Sequence, residues 1–166
     1  RYQQAAMAFV TKLAMKLGCD RVSLGFKDGN KLHVSALSHS AEFGKQMNLV
    51  RAIGLAMDEA MDQRTVIVYP LPSEAQPMVT RAHAELARQH GAGAICTIPL
   101  RNNDKLLGGM TLERPADRAF DQATIELCET VATLVGPILE AKRREERWLI
   151  TKAEESLANQ LKKLVG

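Results

Sequence analysis

The sequence predicts a mixed α/β (α+β) fold: a central antiparallel sheet of about five to six strands, helices on both faces and a long C-terminal helix. Two hairpin signals carry this prediction, because Asp28-Gly29 and Asn102-Asn103-Asp104 each lie between two β-rich runs. Apolar residues at helical spacing flank both hairpins and supply the covering layers. With 166 residues, the chain is long enough for one domain with its own core.

The first half of the chain predicts a helix, a hairpin and a second helix. Residues 2–17 place apolar side chains three and four positions apart, which is typical of an amphipathic helix. Residues 21–27 and 31–39 alternate in polarity as two strands around the first turn. Residues 48–63 return to helical spacing, with a charged opposite side.

The second half predicts a short strand, a third helix, a second hairpin and a long last helix. In chain order these elements span residues 66–68, 78–90, 94–100, 105–113 and 120 to nearly the end. Prolines between the short strand and the third helix predict a loop. Pro137 lacks an amide donor and is expected to kink the last helix.

Composition excludes several classes of protein. The net charge of +3 is mild and its basic residues are interleaved with acidic ones, so we expect no nucleic-acid partner. Apolar runs are too short for a membrane span, and we expect no direct membrane insertion. Three widely spaced cysteines favour a reducing, cytoplasmic location. A start at Arg1 is what a fragment of a longer protein would show.

Three local motifs follow one another in a fixed order. They are Gly18-Cys19-Asp20-Arg21-Val22-Ser23-Leu24, then Ala60-Met61-Asp62-Gln63-Arg64, then Ile98-Pro99-Leu100 with Leu107-Gly108-Gly109-Met110 and Phe120-Asp121. In order and spacing these motifs resemble the GAF domain family. The resemblance covers residues 1–145 and leaves 146–166 as a C-terminal connector helix to a downstream module.

The resemblance implies a bacterial sensory or regulatory domain that binds a small molecule. Residues 38–63 are more narrowly similar to the GAF domain at the N-terminus of membrane-fusion adaptor subunits of bacterial efflux and secretion systems. Two specialised roles are disfavoured, since the chain has no NKFDE-like run for cyclic nucleotides. None of its cysteines is followed by the histidine of bilin-binding members.

In a GAF-like sandwich, the ligand pocket lies on the sheet face away from the first and last helices. Alternation predicts that the large set Val22, Leu24, Phe26, Leu32 and Val34 occupies one face and that smaller, polar residues occupy the other. The expected pocket residues are Ser23, Ser35, His39, Met47, Met57, Tyr69, Thr97 and Thr111. Hydroxyl groups among apolar walls suit a small-molecule site, but a solvated strand surface has the same pattern. The sequence identifies neither the ligand nor a cofactor.

Catalytic and metal sites are not expected. The histidines are too far apart along their elements for one ion, and no zinc-like spacing occurs. An enzyme remains the alternative, because free-methionine sulfoxide reductases share the fold and use a thiol. Cys96 and Cys128 lie in apolar patterns, whereas Cys19 is the more accessible candidate.

The C-terminal helix carries a narrow apolar stripe. Its members are Ile150, Ala153, Leu157, Leu161 and Leu164. Because this spacing is close to that of a coiled-coil seam, we expect a parallel homodimer through the first and last helices. Two readings of function remain: a domain that senses a small molecule, or a dimerisation and interaction module that binds none.

Overall fold

The computed structural model describes residues 1–40 and 46–165, and it confirms the predicted fold class. In chain order the elements are α1 (Tyr2–Leu17), β1 (Arg21–Asp28), β2 (Lys31–Leu37), α2 (Met47–Gln63), β3 (Ile67–Tyr69), α3 (Arg81–His90), β4 (Ala94–Asn102), β5 (Lys105–Arg114) and α4 (Gln122–Val165). The five strands form one antiparallel sheet in the order β2-β1-β5-β4-β3. Residues 41–45, inside the adaptor-like stretch, and Gly166 of the connector lie outside the described residues.

The helices α1 and α4 cover one face of the sheet. Their buried apolar residues form one cluster with side chains of β1, β4 and β5, among them Leu24, Phe26 and Ile98. Helix α1 ends at Gly18, which adopts the left-handed conformation (φ 62°) that glycine accepts without steric cost.

The helices α2 and α3 cover the opposite face. Their cluster contains Ile53, Met57 and Leu86 from the helices and Ile95 from β4. The sheet therefore lies between two separate apolar clusters, one beneath each pair of helices.

The prediction that Leu32 and Val34 share a face of the sheet with the large residues of β1 is wrong. The two-residue turn pairs Phe26 with His33 and Lys27 with Leu32, so near the turn the even positions of β1 share a face with the odd positions of β2. Leu32 therefore packs with the α2 cluster, and so does Val34. Alternation alone could not reveal this, because the turn sets the register.

Helix α4 has 44 residues and continues through Pro137. Its first half packs on the sheet, and Arg143 anchors it: the guanidinium lies over the Phe26 ring (5.5 Å) and pairs with Asp28 at 2.8 Å. From Arg147 onward every described residue is exposed. None of the described helices has the length and apolar character needed to cross a membrane.

Candidate functional site

Four of the predicted pocket residues come together beneath α2. Ser23, Thr111 and Thr97 are register partners on the neighbouring strands β1, β5 and β4, so their side chains form a row across the centre of the sheet. All three are 0% exposed. Met57 of α2 is also fully buried, on the same side.

A histidine from α3 completes a buried hydrogen-bonded chain with this row. The Nε2 atom of His83 lies 2.7 Å from the Thr97 hydroxyl, which lies 3.0 Å from that of Thr111. On its other side, Nδ1 of His83 lies 2.7 Å from the carboxylate of Glu59. The chain therefore links α2, α3, β4 and β5 through side chains alone.

Burial lowers the pKa of His83, although the Glu59 carboxylate opposes this shift. The imidazole is therefore neutral at pH 7. Because an ionised carboxylate only accepts, Nδ1 carries the proton and donates to Glu59. Nε2 then accepts from the Thr97 hydroxyl, and the Thr111 hydroxyl donates to Thr97. Each polar atom of the chain has a partner, which is what a buried network requires.

Glu59 also caps α3 from a distance. Its carboxylate accepts the backbone N–H of Ala82 at 2.7 Å and that of His83 at 3.2 Å. These amides belong to the first turn of α3, where helical donors lack partners and negative charge is favoured. Thr80, at the N-cap position, makes no side-chain capping bond. Glu59 therefore supplies the hydrogen-bond acceptor that the N-cap side chain supplies in other helices.

Met57 fills the space in which a ligand would lie on the sheet. A Cβ atom at Gly25 would be 2.8 Å from the Met57 sulfur, and one at Gly109 would be 3.1 Å from its Cγ. The two glycines thus form a trough in β1 and β5 that the methionine side chain occupies.

The other four predicted residues lie elsewhere. Ser35 is on the opposite face, where its hydroxyl lies 2.5 Å from the Tyr2 hydroxyl of α1, so its predicted face is wrong. It is the extra residue of a bulge, since Leu24 pairs with Ala36 and the next pair is Gly25 with Val34.

Two of these four are at the surface and one borders the α2 side. His39 follows the end of β2, is exposed and adopts a left-handed conformation (φ 61°), so the predicted strand is two residues too long. Met47 is 64% exposed at the start of α2. Tyr69 is half-buried and packs against the α2 cluster.

The order carboxylate, imidazole, hydroxyl is that of a hydrolase triad. Thr97, however, is 0% exposed and has Thr111 on its far side, so a substrate cannot reach its oxygen in this conformation. In the described part of the chain, no three His, Cys, Asp or Glu side chains are placed to hold a metal ion. The hydrogen-bonded series from Glu59 to Thr111 is suited to holding α2 and α3 against the sheet.

The thiols lie on the other side of the sheet, in the α1 and α4 cluster. Burial raises the pKa of Cys19 and of Cys96, and it raises the pKa of Cys128 to about 11. A thiol with a raised pKa is a weak nucleophile, because the thiolate is the reactive form.

An open groove runs along the outer surface between α2 and α3. One half, of about 690 Å³, has Leu55 and Val79 as apolar walls and Asp58 and Asp62 as acidic ones. The other half, of about 520 Å³, lies beside Arg51. Burial and the neighbouring Asp62 raise the pKa of Asp58.

Sequence reasoning missed the two residues that organise the site, His83 and Glu59. Spacing along one element identifies neither: the histidines are too far apart for one metal ion, and Glu59 lies on the charged side of its helix. One available signal was the position of His83 three residues before Leu86, on the face that α3 buries. A histidine on such a face needs a polar partner, and Thr97 is polar within an otherwise apolar strand.

Comparison with known proteins agrees with this architecture. The family model for the GAF domain matches residues 1–139. A search of curated protein sequences finds no significant match.

Solved structures of low sequence identity share the fold. The domain of a putative two-component sensor histidine kinase from Sinorhizobium meliloti has 19% identity and a TM-score of 0.61, over 87% of this chain and 94% of that one. The GAF3 domain of Slr1393 from Synechocystis has 17% identity and a TM-score of 0.63, over 89% and 99%. The type II free methionine-R-sulfoxide reductase from Thermoplasma acidophilum has 14% identity and a TM-score of 0.58, over 85% and 96%. The chain belongs to the GAF domain family.

Proposed function

We propose that this GAF domain is a regulatory module of a larger bacterial protein, which senses a small molecule and passes the signal to a downstream module through α4. The observation that carries the proposal is α4 itself: one continuous helix of 44 residues whose first half packs on the sheet and whose second half projects from it. A rigid helix transmits displacement at one end to the other. The sensory role is typical of the family, and the histidine-kinase neighbour is consistent with it.

The route from the α2 side to α4 runs through β4. Thr97 contacts His83 on one face, while its neighbours Cys96 and Ile98 belong to the cluster that α4 helps to form on the other. A movement of α3 would therefore press on the strand that α4 rests upon. Arg143 gives a second link, because it ties α4 to Asp28 at the tip of the first hairpin.

Pairing with a second copy is the next part of the proposal. Large apolar side chains line the outer surface of α4 at a spacing of seven and four residues: Leu127, Leu134 and Ile138, which are 51%, 65% and 57% exposed. This is coiled-coil spacing, and a second α4 in parallel orientation would cover it. Helix α1 adds less, since Met15 is its large exposed apolar residue.

The distal stripe of α4 lies on a different side. Ile150, Ala153 and Leu157 continue, at steps of three and four, the series of positions that faces the domain, which includes Leu139, Arg143 and Glu146. Two straight α4 helices that pair through Leu127, Leu134 and Ile138 would leave the distal stripe exposed to solvent. We assign the distal stripe to contacts with the downstream module.

Sedimentation equilibrium tests the pairing. We expect a dimer at tens of micromolar and a monomer for the double variant Leu134→Glu, Ile138→Glu, because two charges per chain would be buried in the seam. The control is Leu55→Glu, which places one such charge at a 55% exposed leucine on α2, away from α4. A monomeric parent chain, or a double variant that still dimerises, would refute the pairing.

A second candidate function is an interaction module that binds no small molecule. It is favoured by Met57, whose side chain occupies the trough on the sheet. The thermal midpoint measured with a panel of metabolites separates the two candidates. A dimer whose midpoint no metabolite raises would support the interaction module.

We propose further that the domain is not an enzyme and that it works in the cytoplasm, where its three free thiols would stay reduced. Raised thiol pKa values support the first point. Turnover of free methionine sulfoxide that Cys19→Ser or Cys96→Ser abolishes would overturn it. An origin in a membrane-fusion adaptor subunit rests on the resemblance of residues 38–63 alone, and the sequence of the parent gene would test it.

A further inference from the structure

His90 lines the outer groove between α2 and α3 and has a buried ring nitrogen without a partner. Within the described residues, Nε2 of His90 is the buried side-chain polar atom that lacks a hydrogen bond. Buried polar atoms in native proteins nearly always have a partner, and a missing ligand is one of the usual reasons when they do not. His90 belongs to the half of the groove that measures about 520 Å³.

The same half of the groove holds a free positive charge. Arg51 lies in the second turn of α2 and has no ion-pair partner in the part of the chain that is described. The nearby carboxylate, Glu85, is already neutralised by Arg88 and also accepts from Gln89. The side-chain amide of Asn48 adds a further polar group beside Arg51.

Apolar side chains form the middle of the groove. Leu55 is 55% exposed there, and Ala52 and Ala82 lie beside it. Beyond Leu55 the lining is acidic on balance, since Asp58, Glu59 and Asp62 outnumber the one cation described there, Arg81. A negatively charged group is therefore attracted to the Arg51 end and repelled from the other, while a short hydrocarbon tail has an apolar wall to cover.

We propose that this groove binds a small organic carboxylate, with its carboxylate between Arg51 and His90 and its hydrocarbon on Leu55. The ligand pairs with the open guanidinium of Arg51, and a turn of the His90 ring brings the buried Nε2 to the groove, where it donates to a carboxylate oxygen. The groove lies on the outer surface of the helices, separate from the trough that Met57 fills. This inference names the ligand class for the sensory role proposed above and rests on that role.

The test is a titration of the isotopically labelled full chain, followed by NMR of backbone amides and histidine rings. The probes are hexanoate and hexylammonium, which share a carbon chain and carry opposite charges. We expect hexanoate to shift the His90 ring signals and the amides around Arg51 saturably, and hexylammonium to leave them in place. Acetate should bind more weakly than hexanoate, because it cannot reach Leu55.

Variants of Arg51 and His90 test whether these two side chains bind the carboxylate. Arg51→Gln should weaken hexanoate binding at least five-fold, while Lys12→Gln, which removes the same charge from α1 on the other side of the sheet, should leave it unchanged. His90→Leu should abolish the response while the thermal midpoint stays the same or rises, since it removes an unpartnered buried nitrogen.

Three results would overturn the inference: no saturable shift with hexanoate, an equal response to hexylammonium, or full affinity in Arg51→Gln. Dimerisation is measured separately by sedimentation. A dimer without hexanoate binding would therefore refute this ligand class alone, and a monomer that binds hexanoate would refute the pairing alone.

Discussion

At the scale of single residues, small side chains on the sheet and one large side chain above it decide the shape of the site. Gly25 and Gly109 leave a trough, and Met57 occupies it. Ser23, Thr97 and Thr111 are small enough to let α2 approach, and each is 0% exposed. A flexible methionine suits such an irregular space, because its unbranched chain adapts to the walls.

Removing the Met57 side chain should leave a cavity above the two glycines. We expect Met57→Ala to lower the free energy of unfolding by about 2–4 kcal/mol, because the lost contacts and the cavity both count. Met47→Ala changes the same residue type at a 64% exposed site and should cost under about 0.5 kcal/mol. Urea denaturation measures both, and equal losses would show that Met57 does not fill the core as described.

Stability should fall on mild acidification because of His83. Burial lowers its pKa in the folded state, whereas in the unfolded chain it titrates near its ordinary value of about 6.5. Below that pH the unfolded state binds a proton that the folded state does not, so stability is lost as pH falls, by up to about 1.4 kcal/mol per pH unit.

Urea denaturation between about pH 7.5 and 5.5 checks this dependence. In His83→Gln the slope of stability against pH should be smaller than in the parent chain, and in His39→Gln, which alters an exposed histidine, it should be unchanged. A parent-like slope in His83→Gln would contradict the assignment.

At the scale of elements, α3 is a helix of 10 residues that depends on its neighbours. Isolated helices of this length are marginal in water. Glu59 of α2 accepts its first amides, and His83 and Leu86 fix its buried face to the sheet. The element order could be predicted from periodicity, but a cap supplied by another helix leaves no local signature.

Glu59→Ala should loosen α3 in particular. The change leaves Nδ1 of His83 and two amides without their acceptor, and we expect a loss of about 2 kcal/mol. Glu59→Gln keeps an acceptor oxygen and should lose less. Hydrogen exchange would locate the effect in residues 81–90. Asp62→Ala, at an exposed carboxylate one turn further along α2, is the control and should leave that protection intact.

At the scale of the whole molecule, the sheet separates two helix layers that differ in chemistry. The α1 and α4 side is an apolar core with Arg143 at its edge, while the α2 and α3 side has a polar chain at its centre. The family model ends at residue 139, and beyond it α4 carries exposed apolar side chains such as Ile150 and Leu157.

Truncation tests how far the folded unit extends along α4. A chain that ends at Trp148 should unfold with the same free energy as the parent within about 0.5 kcal/mol at equal concentration, because the residues removed are exposed. A chain that ends at Leu139 loses Arg143 and its contacts, and should be destabilised by more than about 2 kcal/mol. Equal stability of the two truncated chains would refute this limit.

The sequence by itself determined the helices, the hairpins and the family, since periodicity, turn residues and motif order are local properties. Ser23, Thr97 and Thr111 were also predictable, because alternation along a strand assigns them to one face, and Met57 was predictable from helical spacing. Only the tertiary structure decided the rest. The turn register and a bulge moved Ser35 to the other face, and His83 met Thr97 and Glu59 across three elements. Such meetings depend on how elements pack, and no spacing within one element encodes them.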